Sequence, residues 1–123
     1  MSFSLAGSDY VHELTLMGGV FDVIDSTLSQ HSVEKVTQVK LKIGKLTNAE
    51  PEALAFAFEV FSKGTICEGA ELLVEIIPVR GQCQNCGEEF FLEELLFLCP
   101  KCKNPEIKVT QGNELLLESL EVE

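Results

Sequence analysis

Two Cys-x-x-Cys pairs, Cys83-Gln-Asn-Cys86 and Cys99-Pro-Lys-Cys102, stand twelve residues apart late in this chain of 123 residues. Each pair offers two thiolates from one tight turn, and two such turns facing each other make a tetrahedral four-sulfur cage. That geometry folds the stretch between them back on itself. Gly87 follows the first pair, where the turn calls for a positive φ, and Pro100 presets φ inside the second. The span Glu88–Leu98 is long enough for a short strand, a turn and a return. Zn(II) bound by all four cysteines is the adopted reading. The same knuckles also serve iron, and a pair of dithiol redox motifs is the third alternative.

Four thiolates close a zinc coordination sphere and leave no position for a substrate water, so a structural metal is expected rather than a catalytic one. The stretch 82–110 is far below the size at which an apolar core suffices. Structural zinc contributes about 10–16 kcal/mol to the folding of small finger peptides. Phe90, Phe91, Leu95, Leu96, Phe97 and Leu98 are expected to shield one side of the site.

Composition narrows the function. A hydrophobic content of 46% supports a packed core. No apolar run approaches the roughly 20 residues that span a bilayer, and the amino end lacks the basic region of a secretory signal. Five cysteines, four of them in a metal pattern, suit a reducing compartment and point to the cytoplasm. The net charge of −11 opposes a nucleic-acid role, since phosphate binding needs clustered Lys and Arg. Between the cysteine pairs stand Glu88, Glu89, Glu93 and Glu94, against Lys101, Lys103 and Lys108 nearby. Such acidity suits metal cations or a basic protein partner, although a solvated surface accounts for most of these carboxylates.

Periodicity predicts a helix from about Ser8 to Ser29, capped by Ser8 or Asp9. Leu14, Met17, Phe21, Ile24 and Leu28 form its apolar stripe, widened by Leu16, Val20 and Val23. Gly18-Gly19 in mid-helix predicts close packing against a neighbour. Alternation over Val36–Leu46 predicts a strand with Val39, Leu41 and Ile43 inward. A loop follows from Gly44 to Ala49. Pro51 opens a second helix that buries Leu54, Ala57, Phe58 and Phe61 and ends at Gly64; the aromatics Phe56–Phe61 read as core. Ala70–Val79 reads as a strand with Leu72, Val74 and Ile76 on one face, and Pro78 and Gly81 mark the exit to the metal lobe. Ile107–Thr110 pairs in or beside that lobe, and Leu115–Val122 returns to the main sheet. The expected class is α+β: a small, mainly antiparallel sheet of about three strands packed with two helices, plus an inserted zinc-ribbon lobe. The expected domains are 1–81 with 111–123, and 82–110.

The segment His12-Glu13-Leu-Thr-Leu-Met-Gly-Gly resembles the opening of the HypA/HybF family of hydrogenase nickel-maturation factors. The likeness continues through Val39-Lys-Leu-Lys-Ile-Gly-Lys-Leu46, Glu50-Pro-Glu-Ala-Leu54 and Phe58-Glu-Val-Phe-Ser-Lys-Gly-Thr65. It takes in both cysteine pairs, Gln111-Gly-Asn-Glu-Leu115 and Leu120-Glu-Val122. The resemblance implies a nickel-binding α+β domain joined to a zinc-binding domain. It implies a non-enzymatic metallochaperone that works with the GTPase HypB to insert nickel into the NiFe-hydrogenase large subunit, some relatives also serving urease maturation. It also implies His12 as a nickel ligand through its imidazole and nearby backbone nitrogens, with Glu13 a neighbouring ligand or modulator. Glu50, in the loop after the first strand, is a further acidic candidate. Imidazole and other nitrogen donors suit tetragonal or square-planar Ni(II), and an exposed helix start permits both capture and release.

Val11 occupies the position where the family has its initiator Met, preceded here by ten residues. A chain begun at Val11, its codon read as Met, restores a free amine beside His12. A chain begun at Met1 leaves the amides of Val11 and His12, or carboxylates, and binds nickel more weakly. His31 reads as a helix-end or surface residue, and Cys67 as a small residue with no metal role. No nucleophile–base constellation suggests an enzyme. The rival readings are a rubredoxin-like electron carrier and a zinc-ribbon adaptor without nickel. Connections near Gly81 and Gly112 admit a monomer or a domain-swapped dimer.

Overall fold

A computed structural model describes residues 3–92 and 97–123, with side chains from His12 onward. The order is α1 (Phe3–Leu28), β1 (Val36–Gly44), a 3₁₀ turn (Lys45–Thr47), α2 (Pro51–Ser62), β2 (Glu71–Ile77), β3 (Arg80–Cys83), β4 (Glu89–Phe91), β5 (Ile107–Gln111) and β6 (Leu115–Val122). Strands β2, β1 and β6 form one sheet in that order, and β4, β3 and β5 a second. The architecture is the expected α+β class of two helices with small antiparallel sheets and a four-cysteine lobe. Two compact units emerge. The first comprises the stretch up to Leu41, Ala49–Glu75 and Leu116–Glu123; the second comprises Lys42–Asn48 and Ile76–Leu115.

In α1 the buried residues are Glu13, Met17, Val20, Phe21 and Ile24, which share one face at helical spacing. Val23, expected to widen the stripe, is instead 50% exposed. The helix begins at Phe3, five residues ahead of Ser8, so neither Ser8 nor Asp9 caps it. No proline interrupts the preceding segment, and helical propensity carries the first turns past the expected start. A Cβ at Gly18 would meet Phe61 Cζ at 3.4 Å, whereas none would meet a neighbour at Gly19. Close packing thus concerns Gly18 alone.

Pro51 opens α2, where a missing N–H costs nothing, and Ala53, Leu54, Ala57 and Phe58 are buried. Phe21 packs on Phe58 and on Phe61, each with ring centroids 5.6 Å apart. Phe56 is 49% exposed and is not a core residue. Standing two positions before Phe58, it projects from another side of the helix.

Glu123 N–H donates to Lys35 O at 2.8 Å, Thr37 Oγ1 to Glu121 O at 3.2 Å, and Lys40 Nζ reaches Glu118 at 3.3 Å. Each step forward on β1 is therefore a step back on β6, and the pair is antiparallel. Val39, Leu41 and Ile43 are buried as their alternation predicts. On β2, Leu72 and Val74 are half-buried but Ile76 is 41% exposed. That strand stops at Ile77 because Pro78, which has no N–H, cannot continue the ladder.

In the second unit β3 is central and antiparallel to both neighbours, pairing Gln82 with Glu89 and with Lys108. Gly81 lies inside β3 rather than at a connection. A Cβ there would meet Ile107 Cγ2 at 2.6 Å, so the strand crossing itself requires glycine. β1 likewise ends at Gly44, short of Leu46, because the chain passes Gly112 there: Leu46 N–H donates to Gly112 O at 2.7 Å and Gly44 N–H to Glu114 O at 2.8 Å. Among the described residues of the stretch expected to shield the site, Leu92 is the buried one. Phe90 is half-buried, and Phe91, Phe97 and Leu98 are 54%, 36% and 40% exposed. Leu95 and Leu96, with Glu93 and Glu94, lie outside the described residues.

Candidate metal centre

The two cysteine turns are built on one plan. Cys83 N–H donates to Glu88 O at 2.9 Å and Cys99 N–H to Asn104 O at 3.0 Å. Gly87 N–H returns to Cys83 O at 3.0 Å, and Lys103 N–H to Cys99 O at 2.9 Å. Both returning residues have positive φ, +80° at Gly87 and +67° at Lys103. The first turn met that demand with glycine; the second strains a lysine into the left-handed region.

Within each turn the leading sulfur is cradled by backbone donors. Cys83 Sγ accepts from the N–H groups of Asn85 and Cys86, and Cys99 Sγ from those of Lys101 and Cys102, all at 3.4 Å. Such donors stabilise negative sulfur. Across the turns Cys83 and Cys102 sulfurs are 3.6 Å apart, as are those of Cys86 and Cys99, and all four lie within 4.8 Å of one another. Around one cation with Zn–S bonds of about 2.3 Å, tetrahedral sulfurs would be separated by about 3.8 Å. The four cysteines thus match a tetrahedral M(Cys)₄ set, and the chemistry of the donors suits zinc or iron. None is in a disulfide.

Four thiolates this close cannot all stay charged without a cation among them. The Asn85 side chain, donating to Cys102 Sγ at 3.6 Å, and the Asn104 N–H lower the Cys102 pKa to about 6. Cys86 is pushed up to about 12. A Glu88 backbone donor favours its thiolate, but burial and the neighbouring sulfurs outweigh that donor. Asn85 is thus a functional residue that the spacing of the cysteines did not announce.

The second predicted cluster lies wholly in the first unit. His12 is exposed on α1. It stands in the interior of that helix rather than at an exposed helix start, so its amide belongs to the helical ladder. Glu13 is 1% exposed. Its Oε2 accepts the Glu50 N–H at 2.6 Å, and its Oε1 has no hydrogen-bond partner. Glu50 is the N-cap residue of α2 but makes no side-chain cap bond of its own; its carbonyl accepts Leu54 N–H at 2.9 Å.

Glu13 therefore supplies, from another helix, a carboxylate hydrogen bond at the positive end of α2, where the Glu50 side chain makes no cap bond. The structure brings Glu13 to the Glu50 backbone while the Glu50 side chain remains exposed. The signal for this was present in the sequence. Glu13 precedes Met17 by four residues on the buried stripe, a core phase at which a carboxylate needs a partner.

His31 is exposed, with Nδ1 3.1 Å from Thr27 O. Cys67 is buried in the first unit with its thiol pushed up by burial and is not one of the four clustered cysteines. No helix among the described residues is long and apolar enough to cross a membrane.

A family described as "Hydrogenase/urease nickel incorporation, metallochaperone, hypA" matches residues 11–122. The hydrogenase maturation factor HypA of Desulfitobacterium hafniense is 60% identical over 113 residues, 92% of this chain and 99% of the relative. That of Aquifex aeolicus is 35% identical and covers 92% and 98%. Among solved structures, the solution structure of the Ni metallochaperone HypA from Helicobacter pylori superposes with a TM-score of 0.67. It is 26% identical and covers 89% of this chain and 96% of that one.

Proposed function

This chain belongs to the HypA family of hydrogenase and urease nickel-incorporation metallochaperones, and from that premise we propose that it collects Ni(II) at His12 and delivers it. Delivery runs with the GTPase HypB to the NiFe-hydrogenase large subunit in the cytoplasm, and in urease-bearing cells to the urease maturation proteins. The observation that carries the reading is the pairing of an exposed His12 with a buried Glu13 already tied to the Glu50 backbone. The imidazole supplies a nitrogen donor suited to Ni(II). Glu13, whose Oε1 has no hydrogen-bond partner, is taken as a second donor or as a modulator of affinity. Glu50 is the weaker third candidate because its side chain points to solvent.

A surface site with few protein ligands releases its metal more readily than a closed cage. That is the behaviour cargo requires. Backbone nitrogens of Val11 and His12 become ligands only if the helix opens there, since helical amides are committed to the carbonyls four residues back. A chain that begins at Met-His12 lacks that preceding turn and carries its own amine.

Cys83, Cys86, Cys99 and Cys102 are assigned a structural Zn(II) that folds the domain 82–110, the remainder (1–81 and 111–123) forming the nickel-binding domain. Bound zinc supplies a fixed tetrahedral crosslink and no open coordination position. Iron in the same site would colour the protein, whereas d¹⁰ Zn(II) leaves it colourless.

The test is a Ni(II) titration of the full chain, of His12→Ala and of a version starting at Met-His12. The substitution is expected to weaken binding at least tenfold, about 1.4 kcal/mol, and the shortened version to bind more tightly than the full chain. Equal affinities for the full chain and His12→Ala would return the protein to a zinc-ribbon adaptor without nickel.

A further inference from the structure

β6 is an outer strand of the β2-β1-β6 sheet. Lys35 and Glu123, at the end of its pairing with β1, exchange both backbone bonds at 3.4 and 2.8 Å. Bonding in an antiparallel ladder alternates residue by residue. Glu123 therefore turns its N–H and C=O toward β1 and its neighbour Val122 turns its own outward; at the far end Glu114 O accepts Gly44 N–H, so the alternation changes phase along the strand. Leu116 is 52% exposed and Val122 46%.

Beside this edge runs a groove of about 350 Å³, lined by Val23, Thr27 and Leu28 of α1, by His31 just beyond it and by Leu117 and Leu120 of β6, among others. Its walls are mainly apolar side chains. The combination is that of a sheet edge with an adjoining slot for side chains, the arrangement that accepts an added strand.

Exposed edges are usually blunted by lysine, proline or a bulge. β6 has no lysine and no proline; its charges are Glu118 and Glu121, with Glu123 directly after. Like charges brought opposite each other destabilise a strand pair. Pairing with a second copy would set this acidic strand against itself, in a chain whose net charge is −11. A basic strand meets no such penalty. We propose that the β6 edge and its groove form a docking surface for an extended, basic segment of a partner protein. That segment adds as a fourth strand, with Lys or Arg opposite Glu121 and apolar side chains in the groove. This surface is separate from His12 and stands or falls independently of nickel binding.

The probes are two eight-residue peptides, one alternating valine with lysine and the other alternating valine with glutamate, titrated into the full chain by amide NMR. The lysine peptide is expected to shift the amide of Val122 at the edge and to bind about tenfold more tightly than the glutamate peptide. A few opposite-charge cross-strand pairs at about 0.2–1 kcal/mol each account for a difference of that order. Val122→Pro, which removes one outward N–H at a position where an edge strand tolerates proline, should abolish the edge shifts. Glu121→Lys should erase or reverse the preference without requiring any backbone change. Equal binding of the two peptides, or shifts scattered over the acidic surface with none on the edge, would overturn the proposal. Concentration-dependent self-association through the β6 amides would overturn it too, by giving the edge to a second copy.

Discussion

The unit that carries α1 and α2 encloses Met17, Ile24, Val39, Leu41, Leu54 and Phe58, whereas in the unit that carries the cysteines Ile43, Val79 and Leu92 share the interior with Cys83 and Cys99. Burying an aliphatic side chain contributes about 1.5–3 kcal/mol. Ordering each residue costs about 1–2 kcal/mol in backbone entropy alone. Among the described residues of the second unit, three such side chains fall far short of folding it by apolar burial, and a crosslink through its sulfurs would supply the difference. The first unit needs no crosslink. The same chain thus holds one region together by packing and another by coordination, and each should fail under a different insult.

The largest effect should come from removing the metal. Exhaustive chelation, or Cys99→Ser, is expected to withdraw stabilisation of about 10–16 kcal/mol from the cysteine-bearing unit. Amide exchange in β3, β4 and β5 should become fast while the amides of α1 and α2 stay protected. If β3 through β5 keep their protection after complete metal removal, the contrast between the two units is false.

The converse insult is a cavity in the packed unit. Leu54 is 1% exposed beneath α2, and Leu54→Ala should cost about 2–5 kcal/mol. Urea melting followed by helix signal should move to lower concentration, while bound metal per chain stays at the parental value. Loss of metal from the folded Leu54→Ala protein would mean that the units depend on one another more than their interiors imply.

How much of this was legible beforehand follows the same division. The cysteine spacing announced the coordination set outright, because only a few chemistries need two thiolate turns. It said nothing of Asn85 or of the strained Lys103, which act through hydrogen bonds local to the folded turns. β6 covers Leu115–Val122, where a strand is expected to return to the main sheet, and α2 begins at the proline that could begin it. Errors came where tertiary packing overrode a local pattern. Phe56 and Val23 carry apolar side chains on faces that meet no core. Gly81 looked like a breaker but was required by a strand crossing. The start of α1 was misplaced because Ser8 and Asp9 are good caps only where a helix begins, and nothing in the sequence obliged it to begin there.

Glu13 is the residue at which the two kinds of support meet in one side chain, since it is buried like a core residue and polar like a ligand. Its bond to Glu50 N–H gives α2 a cap, and loss of a cap costs about 0.5–2 kcal/mol. Glu13→Ala should therefore destabilise the helix-bearing unit by about 1–2 kcal/mol, seen as faster exchange at Glu50 and neighbouring amides of the first turn, with the cysteine-bearing unit unchanged. Glu13→Gln retains an oxygen acceptor for Glu50 N–H while removing the charge, and should recover most of that loss. The same pair separates two roles toward nickel. If Glu13 acts on His12 only by tying α1 to α2, Gln restores affinity along with stability. If its carboxylate ligates the metal, Gln restores stability and leaves affinity low, because a neutral amide oxygen is a poorer donor to Ni(II) than a carboxylate. Unchanged exchange at Glu50 in Glu13→Ala would remove the capping role itself, and with it the reason for a carboxylate to lie in that core.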